Sequence, residues 1–349
     1  MWARRISTVV LIMVLGLVLG CGRQATENKP AKMKITGAGA TFPYPLYKEW
    51  IQDYNKAHKG LDISYNPVGS GAGIKLFIRQ EVDFGASDAA MTDEEMAKVD
   101  RKVKLIPATA GTVVLAYNLK GLNGELKLPR DVYVAIFAGD IKKWNDLRIK
   151  KANPDLNLPA IDIIPVVRAD GSGTTYAFTN HLSVISTDWR DRGPGTGKVV
   201  RWPSTAMAVR WNEGVAGRVK ITDGAIGYME YSYAKRGDLT MAALENKAGN
   251  FIAPSETAGQ ATLTATESDM PANLRMFFPD PPGADSYPIV TYSWILLYGS
   301  YPDQKKAKAL TDFVKWGITD GQKYAEKLGY ISLPSHIREL GLKAIGEIN

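Results

Sequence analysis

A strand, a glycine turn and the start of a helix follow one another in Met33-Lys-Ile-Thr-Gly-Ala-Gly-Ala-Thr-Phe-Pro43. The strand is predicted over residues 33–36, and the apolar spacing of Trp50, Ile51 and Tyr54 predicts the helix. Glycine turns stand between predicted strands and helices at later points of the chain as well. Strands that alternate with helices predict an α/β fold in which a mostly parallel sheet is covered on both faces.

The same alternation extends over most of the sequence. Further strands are predicted at residues 61–65, 82–86, 104–105, 112–118, 163–167, 225–229 and 290–297. Helices are predicted at residues 74–80, 131–138 and 176–182, after the capping box of Thr92 and Glu95, and finally at 304–316 and 321–328, which are expected to close the chain. Residues 264–286 are predicted to be rich in loops. At 349 residues the chain exceeds what one hydrophobic core usually organises, so two domains are expected.

Composition and charge describe an ordinary globular protein. The hydrophobic content of 45% and the charged content of 23% exclude disordered and collagen-like chains. The formal net charge is +7, but Lys and Arg are scattered among 36 acidic residues, with no basic run longer than pairs such as Lys305-Lys306. Nucleic acid is therefore not expected as a partner, whereas a modest positive field would help to attract small anions.

Residues 1–20 have the pattern of an export signal. Arg4 and Arg5 supply positive charge near the start, and the following apolar run, residues 9–19, is too short to span a membrane comfortably. Removal of these two arginines with the signal would lower the formal charge from +7 to 7 − 2 = +5. The sequence therefore predicts that the mature chain acts outside the cytoplasm, in the periplasm or at the cell surface.

The apolar run ends in Val18-Leu19-Gly20-Cys21, which is typical of a lipobox. Cys21 is the only cysteine in the sequence, so no disulfide is expected within the chain, and Cys21 is the predicted lipidation site. A signal peptide with an incidental cysteine is the alternative. Residues 21–33 are then the lipidated cysteine and a polar tether, and the multiple acyl chains of a bacterial lipoprotein would anchor it durably to a membrane.

Three glycine turns share one chemistry. They lie in residues 36–43, 69–73 and 168–175, and each leads into a predicted helix and carries Ser or Thr hydroxyls. Such a turn leaves backbone N–H groups unpaired at the positive end of the helix dipole, which suits an anion. One such turn is commonly only architectural, but three in one chain favour a small oxyanion as ligand.

Patterns for other chemistries are not met. Gly193-Pro-Gly-Thr-Gly-Lys198 has three residues between its first glycine and the Gly-Lys pair, where a Walker motif has four, and Val199 follows in place of Ser or Thr. Ser172 lacks the frame of a hydrolase elbow. The three histidines, His58, His181 and His336, are far apart and have no metal-ligand spacing. Neither a metal site nor a catalytic residue is predicted.

Five motifs occur along the chain in a characteristic order. They are Thr36-Gly-Ala-Gly-Ala-Thr-Phe-Pro43, Gly69-Ser70 with Lys75, Val82-Asp-Phe-Gly-Ala-Ser-Asp88, Arg168-Ala-Asp-Gly-Ser-Gly-Thr174 and Gly224-Ala-Ile-Gly-Tyr-Met-Glu-Tyr231. Together they resemble the phosphate-binding receptors of the bacterial high-affinity phosphate ABC importer, from about residue 34 to residue 335. The resemblance implies a protein that is not an enzyme, binds inorganic phosphate without a cofactor, delivers it to the membrane permease subunits of the importer and is expected to be a monomer.

The resemblance also implies the fold and the ligand site. It implies the type II periplasmic-binding-protein fold, with two α/β lobes, an interlobe ligand cleft and a hinge near Tyr117-Asn118 and residues 287–289. Lobe I would comprise residues 34–117 and 290–349, and lobe II residues 118–289. The implied phosphate-binding residues are Thr41, Phe42, Ser70 and Asp88 in lobe I and Arg168, Asp170, Ser172, Gly173 and Thr174 in lobe II.

The chemistry of three of these residues supports the assignment independently. The planar fork of Arg168 can bind two phosphate oxygens, and Asp170 is placed to orient it, although the pair could also be a surface ion pair. Asp88 would accept a hydrogen bond only from a ligand that brings a proton. Phosphate near neutral pH carries a P–OH group and sulfate does not, so Asp88 would select phosphate. An aspartate that caps the turn after a strand fits Asp88 equally well from the residues alone.

Two other function classes remain open from the sequence. One is an enzyme that acts on phosphate esters, which would need a base or a metal near Ser172. The other is a receptor for a different oxyanion, such as sulfate or molybdate. Residues 205–220 follow the family only loosely, with Arg210, Trp211 and Arg218 where a glycine-rich stretch is expected.

Overall fold

The strands of the computed structural model, which describes residues 31–349, form one large sheet and one small sheet. In chain order they are β1 (Met33–Gly39), β2 (Leu61–Asn66), β3 (Phe84–Ser87), β4 (Val103–Tyr117), β5 (Lys127–Leu128), β6 (Ile164–Arg168), β7 (Met207–Val209), β8 (Ala225–Glu230), β9 (Thr240–Met241), β10 (Ala243–Glu245), β11 (Phe251–Ile252) and β12 (Val290–Tyr298). The predicted signal and Cys21 lie outside the described residues. The last residue of the predicted tether, Met33, already belongs to β1.

Helices cover the strands. In chain order they are α1 (Tyr44–Ala57), α2 (Ser70–Ile78), α3 (Asp93–Met96), α4 (Arg130–Ala138), α5 (Leu147–Ala152), α6 (Gly173–Ile185), α7 (Thr187–Asp191), α8 (Trp211–Ile221), α9 (Tyr231–Arg236), α10 (Glu256–Thr264), α11 (Gln304–Ile318), α12 (Ala325–Leu328) and α13 (Ser335–Gly346), with 3-10 turns at Glu267–Asp269 and Asp320–Tyr324. Across residues 31–349, no helix is both long enough and apolar enough to cross a membrane.

The large sheet is mixed, and the prediction of a mostly parallel sheet was wrong for its centre. The strand order is β2-β1-β3-β12-β4-β8-β6-β7, with β9 also paired to β4. The outer pairs, such as β1 with β2 and β6 with β8, are parallel, whereas β12 is antiparallel to both β3 and β4 and β4 is antiparallel to β8. By these pairings β1, β2, β3 and β4 share one direction, whereas β6, β7, β8 and β12 run in the opposite direction.

The strand β4 joins the two halves of the large sheet. Its residues 103–112 pair with β12, and its residues 113–117 pair with β8. We call the strands on the β12 side the first half and those on the β8 side the second half. The predicted lobe boundaries near residues 117 and 290 coincide with the end of β4 and the start of β12, and they stay predictions.

The two strands predicted at 104–105 and 112–118 are one strand of 15 residues. Pro107 and Gly111 stand inside it, and such residues usually interrupt a central strand. Here the register shifts beside Pro107, since Ser293 pairs with Thr109 and Trp294 with Pro107, which leaves one extra residue on β4. A bulge of this kind accommodates a proline that cannot donate to the ladder.

The C-terminal end of the chain differs from the prediction. Residues 321–328 were expected to be a closing helix, but a 3-10 turn and the four-residue α12 occupy them, and a further helix, α13, follows. Gly341 interrupts the helical pattern of the sequence there. In the structure, a methyl group on Gly341 would approach Ile318 to 3.1 Å, so this glycine allows α13 to pack closely against α11.

The carboxyl ends of the parallel strands carry the residues of interest. Thr41 follows β1, Asp88 follows β3 and Arg168 is the last residue of β6. In α/β sheets, ligands bind outside the carboxyl ends of the strands, because the turns into the helices lie there. Because β6 runs opposite to β1 and β3, these carboxyl ends approach the middle of β4 from its two ends, and motifs that are far apart in sequence meet at the junction of the two halves.

Candidate functional site

The starts of α2 and α6 face each other across the junction of the two halves. The N–H of Gly71, in the first turn of α2, donates to the carbonyl oxygen of Gly171 at 2.8 Å. Gly69 has a φ of 98°, and a methyl group there would lie 2.5 Å from Oδ2 of Asp170. A side chain at residue 69 would thus be strained and would also clash, so glycine is required for this approach.

Gly173 makes the second close contact between the halves. A methyl group on Gly173 would lie 2.6 Å from Cβ of Asp88 and 2.6 Å from Oγ of Ser70. Real Cβ contacts are not this short, so the backbone of α6 comes as close to Asp88 as glycine allows. The first residue of α6 is therefore set directly against two site residues predicted in the other half.

Several backbone N–H groups around this junction have no acceptor within residues 31–349. They belong to Thr41, Phe42, Ser70, Gly173 and Thr174. They stand just before or at the start of α1, α2 and α6, where the helix dipoles add positive potential. Unpaired buried N–H groups are rare in proteins. Their concentration here suits an anion with several oxygen atoms.

Ser172 is the N-cap residue of α6. Its Oγ accepts a hydrogen bond from the N–H of Thr175 at 3.0 Å and so caps the helix. The hydroxyl hydrogen is still available to a ligand, because the cap uses only a lone pair of the oxygen. Ser172 is fully buried, as is Thr174 two residues later.

Arg168 and Asp170 form a buried ion pair. Nε and Nη2 of Arg168 donate to the two carboxylate oxygens of Asp170 at 2.8 and 2.5 Å, and the backbone N–H of Trp211 donates to Oδ1 of Asp170 at 3.0 Å. The side chains are only 2% and 11% exposed, so the alternative of a surface ion pair is wrong. Burial acts to raise the pKa of Asp170, but the hydrogen bonds and charge of Arg168 outweigh it and hold that pKa below its ordinary value. Asp170 thus remains charged and fixes the plane of the guanidinium.

Asp88 is buried and accepts hydrogen bonds from two hydroxyl groups. Oγ of Ser293 donates to Oδ1 at 2.8 Å, and Oγ of Ser70 donates to Oδ2 at a longer 3.4 Å. Burial raises the pKa of Asp88 to about 7, although the hydrogen bonds of both serines and the charge of Arg168 act in the opposite direction. The carboxyl group is consequently poised between its charged and neutral forms near neutral pH.

The turn after β3 is capped by Ser87 and not by Asp88, which was the alternative role for Asp88. Oγ of Ser87 donates to the carbonyl oxygen of Ala89 at 2.5 Å and accepts from the N–H of Ala89 at 3.1 Å. Ser87 therefore closes the turn, and the carboxyl group of Asp88 is left to the site.

Asn212 lies at this junction and was not predicted from the sequence. It is fully buried, and its Nδ2 donates to Oγ1 of Thr41 at 2.9 Å and to Oγ1 of Thr174 at 3.3 Å. Its Oδ1 accepts the backbone N–H of Glu230 at 3.0 Å. Asn212 thus connects the two threonines of opposite halves. It lies in the loosely matching segment 205–220, where the only sequence signal is an asparagine near a helix start.

Glu230, the last residue of β8, is a second buried carboxyl group beside the site. Its oxygens accept hydrogen bonds from the N–H of Ser232 at 2.9 Å and from the hydroxyl of Ser232. Burial raises the pKa of Glu230 from the usual 4.5 to about 8, against the lowering effect of the Ser232 hydrogen bonds. The folded chain therefore holds this proton more tightly than the unfolded chain does.

We expect Glu230→Gln to flatten the pH dependence of stability. The contribution of Glu230 is fully present below pH 4.5 and is lost as the pH rises through about 8. The free energy of unfolding, measured by denaturant titration from pH 5 to pH 8.5, should fall less with pH in the variant, by up to about 1.4 kcal/mol per pH unit. Glu213→Gln, at an exposed position on α8, is the control. An unchanged slope in Glu230→Gln would contradict the raised pKa.

The described residues offer no candidate metal site at this junction. Within residues 31–349, no three His, Cys, Asp or Glu side chains are grouped so that they could hold a metal ion. His181, the histidine most deeply buried, is held by the hydroxyl of Tyr133 at 2.7 Å and the carbonyl oxygen of Pro279 at 2.5 Å. The arrangement at the junction can bind and orient a tetrahedral anion.

Comparison with known sequences gives consistent matches over most of the chain. A family model described as a PBP superfamily domain matches residues 24–320. The phosphate-binding protein PstS of Pasteurella multocida is 40% identical over 304 residues, which cover 87% of this chain and 87% of that protein. The protein of the same name in Methanocaldococcus jannaschii is 38% identical over 365 residues and covers 97% of this chain and 93% of its own length.

Solved structures have the same fold. A phosphate-binding protein from Stenotrophomonas maltophilia is 20% identical to this chain and superimposes with a TM-score of 0.70, covering 89% of this chain and 93% of that one. A periplasmic phosphate-binding protein whose structure contains phosphate is 19% identical, with the same TM-score of 0.70 and coverage of 88% and 92%. The α/β architecture with two halves around one sheet junction is thus shared with these proteins.

Proposed function

The chain belongs to the phosphate-binding proteins of the PBP superfamily, and from this premise we propose that it binds inorganic phosphate and delivers it to a phosphate ABC importer. The family is one of binding proteins and not of enzymes. The observation that carries the proposal is a buried Asp88 carboxyl group directly against unpaired N–H donors of α6 and α2 and near Arg168.

The donor set matches a phosphate that still carries one proton. Unpaired amides at three helix starts and the free nitrogen of Arg168, Nη1, would donate to the phosphate oxygens, and Asp88 would accept from the P–OH group. A sulfate has no hydrogen to give, so it would set a lone pair against the Asp88 carboxylate. Such a mismatch in a buried site costs on the order of several kcal/mol, or about a thousandfold in affinity.

Capture would follow closure of the two predicted lobes around the anion. Contacts already cross between residues 34–117 and 118–289, including Gly71 with Gly171 and the ion pair of Glu95 with Lys198 at 2.5 Å. We expect these contacts to break when the lobes open about a hinge near Tyr117. Small-angle X-ray scattering should then give a smaller radius of gyration with phosphate than without it, and equal radii would contradict the hinge.

A location outside the cytoplasm fits this role, with the lipid anchor at Cys21 as the finer proposal. An anchored receptor stays near the membrane permease subunits, to which a single bound anion has to be passed. We also expect the receptor to act as a monomer. Mass spectrometry of the mature chain from its native host should show acyl groups on Cys21, and an unmodified Cys21 would refute the anchor.

Calorimetric titration of the ligand-stripped chain tests the proposal directly. Phosphate should bind at one site per chain, and sulfate and molybdate should bind about a thousandfold more weakly or not at all. Stronger binding of one of those anions would favour the alternative of a different oxyanion receptor. Turnover of a generic phosphoester in a parallel assay would favour the enzyme alternative.

We expect Gly173→Ala to weaken phosphate binding about ten- to a hundredfold. The added methyl group would lie 2.6 Å from Asp88 and Ser70, so α6 must move away from the anion, and overpacking of this kind costs about 1–3 kcal/mol. Gly217→Ala is the matched control, because residue 217 is also a glycine in a helix and a methyl group there meets nothing within 4 Å. Calorimetry should give wild-type affinity for Gly217→Ala. Equal affinities of both variants would mean that Gly173 is not at the ligand.

A further inference from the structure

Two tyrosine hydroxyl groups donate to successive carbonyl oxygens in the turn between β1 and α1. Tyr65, on β2, donates to the carbonyl oxygen of Ala40 at 2.8 Å. Tyr233, on α9, donates to the carbonyl oxygen of Thr41 at 2.6 Å. These carbonyl oxygens belong to the peptide groups that end in the N–H of Thr41 and the N–H of Phe42, respectively.

Peptide geometry links each hydroxyl to the opposite N–H. A trans peptide group is planar, and its C=O and N–H point in opposite directions. The described chain contains no cis peptide bond. A hydroxyl that holds the carbonyl oxygen of Ala40 therefore fixes the direction of the Thr41 N–H, and a hydroxyl on the Thr41 oxygen fixes that of the Phe42 N–H. Both N–H groups are among those without a protein acceptor.

We propose that Tyr65 and Tyr233 are positioning residues for phosphate, which aim and polarise the two backbone N–H groups that receive the anion. Hydrogen bonds in a chain strengthen one another, so a hydroxyl on the carbonyl oxygen makes the N–H of the same peptide group a better donor. The inference rests on the proposed function, because it requires that the anion lies at the start of α1.

Tyr233 adds a connection between the halves. It lies in α9, which follows β8 of the second half, whereas Thr41 follows β1 of the first half. Tyr233 is almost completely buried, and its hydroxyl remains a donor near neutral pH because burial raises its pKa further above the ordinary value. The N–H of Phe42 is therefore oriented by Tyr233 of the opposite half, whereas the N–H of Thr41 is oriented by Tyr65 of its own half.

A third tyrosine provides an internal control. Tyr330 donates to the carbonyl oxygen of Phe42 at 2.6 Å and is fully buried. The peptide group of that oxygen leads to Pro43, which has no N–H. Loss of the Tyr330 hydroxyl removes a buried hydrogen bond of the same kind in the same turn, but it changes no N–H that could meet an anion.

The experiment compares Tyr65→Phe, Tyr233→Phe and Tyr330→Phe in the full chain by calorimetry with phosphate. Tyr65→Phe and Tyr233→Phe should each bind phosphate about three- to tenfold more weakly, and Tyr330→Phe should stay within about twofold of wild type. Sulfate affinity should fall by the same factor, because both anions would use the same N–H groups. Thermal unfolding without phosphate monitors the general cost of each lost hydroxyl.

A spectroscopic measurement separates positioning from mere structural support. With 15N-labelled phenylalanine, the amide proton of Phe42 should move downfield when phosphate binds to the wild type, and clearly less in Tyr233→Phe. Weakening of phosphate binding in Tyr330→Phe as large as in the other two variants would overturn the inference. So would a phosphate-induced shift of the Phe42 amide proton that is as large in Tyr233→Phe as in the wild type. If the wild type itself did not bind phosphate, the proposed function would fail instead, so the two failures can be told apart.

Discussion

Asp88→Asn is expected to retain much of the affinity for phosphate and to bind sulfate about a hundred- to a thousandfold more tightly than the wild type does. The side chain keeps its shape, but its charge is gone and its amide can donate to an oxygen that carries no hydrogen. In the wild type, a sulfate would face a buried carboxylate whose other partners, Ser70 and Ser293, already donate to it. Loss of discrimination between phosphate and sulfate in the variant would therefore show that Asp88 accepts a hydrogen bond from the ligand proton.

Competition between the two anions, followed by calorimetry at several pH values, measures this effect. Because the pKa of Asp88 is raised to about 7, sulfate binding to the wild type should strengthen as the pH falls through about 7 and Asp88 takes up a proton. The Asn variant should lose that pH dependence. Asp62→Asn, on the exposed face of β2, is the control. Discrimination that survives unchanged in Asp88→Asn would refute the role given to Asp88.

Arg168→Lys is expected to weaken phosphate binding about a hundredfold or more. Arg168 gives Nε and Nη2 to Asp170 and keeps Nη1 for a ligand, and this division requires the planar fork. A lysine has one charged nitrogen, which cannot hold both carboxylate oxygens of Asp170 and a phosphate in the same geometry. Asp170 would also be left partly unpaired in a buried position, where a carboxylate opposes an anion.

The chain provides a matched pair for this test. Arg148 binds both oxygens of Asp146, also two residues away, at 3.0 Å each, but its side chain is 47% exposed and lies on the surface. Arg148→Lys should leave phosphate binding unchanged, since surface ion pairs contribute little. Similar affinities for Arg168→Lys and wild type would show that the fork of Arg168 does not bind the ligand.

The predictable parts of the site are those that a short motif fully determines. Gly69 and Gly173 stand where strands turn into helices, and the approach of two backbones leaves no room for a side chain there. Arg168 and Asp170 are two residues apart, so their pairing follows from local geometry. Such features depend only on residues that are close together in sequence, so they can be predicted from the motif alone.

Asn212 could not be predicted, because its role depends on tertiary structure. Its side chain meets Thr41 and Thr174 only after α8 packs beside the carboxyl ends of β1 and β6. The hydroxyl of Tyr233 reaches Thr41 for a similar reason, across 192 positions of sequence. No local pattern of charge or hydropathy marks such pairs.

The centre of the sheet was mispredicted for a different physical reason. Local propensity treats Pro107 as the end of a strand, yet the bulge beside it lets β4 continue to Tyr117. The direction of β12 also cannot be predicted from the local sequence, because pairing between strands nearly two hundred residues apart is decided by the complete fold. The prediction of alternating strands and helices was nonetheless confirmed for the outer parts of the sheet, where β1, β2 and β3 are parallel.

A crystal structure of the chain grown with phosphate is the most direct measurement of the central claim. We predict one phosphate at the junction of the two halves, with an oxygen within about 2.7 Å of an Asp88 carboxylate oxygen and others in contact with Arg168 and the start of α6. The short Asp88 contact requires a proton between the two oxygens. Phosphate bound elsewhere, or Asp88 facing bulk water away from the anion, would contradict the account.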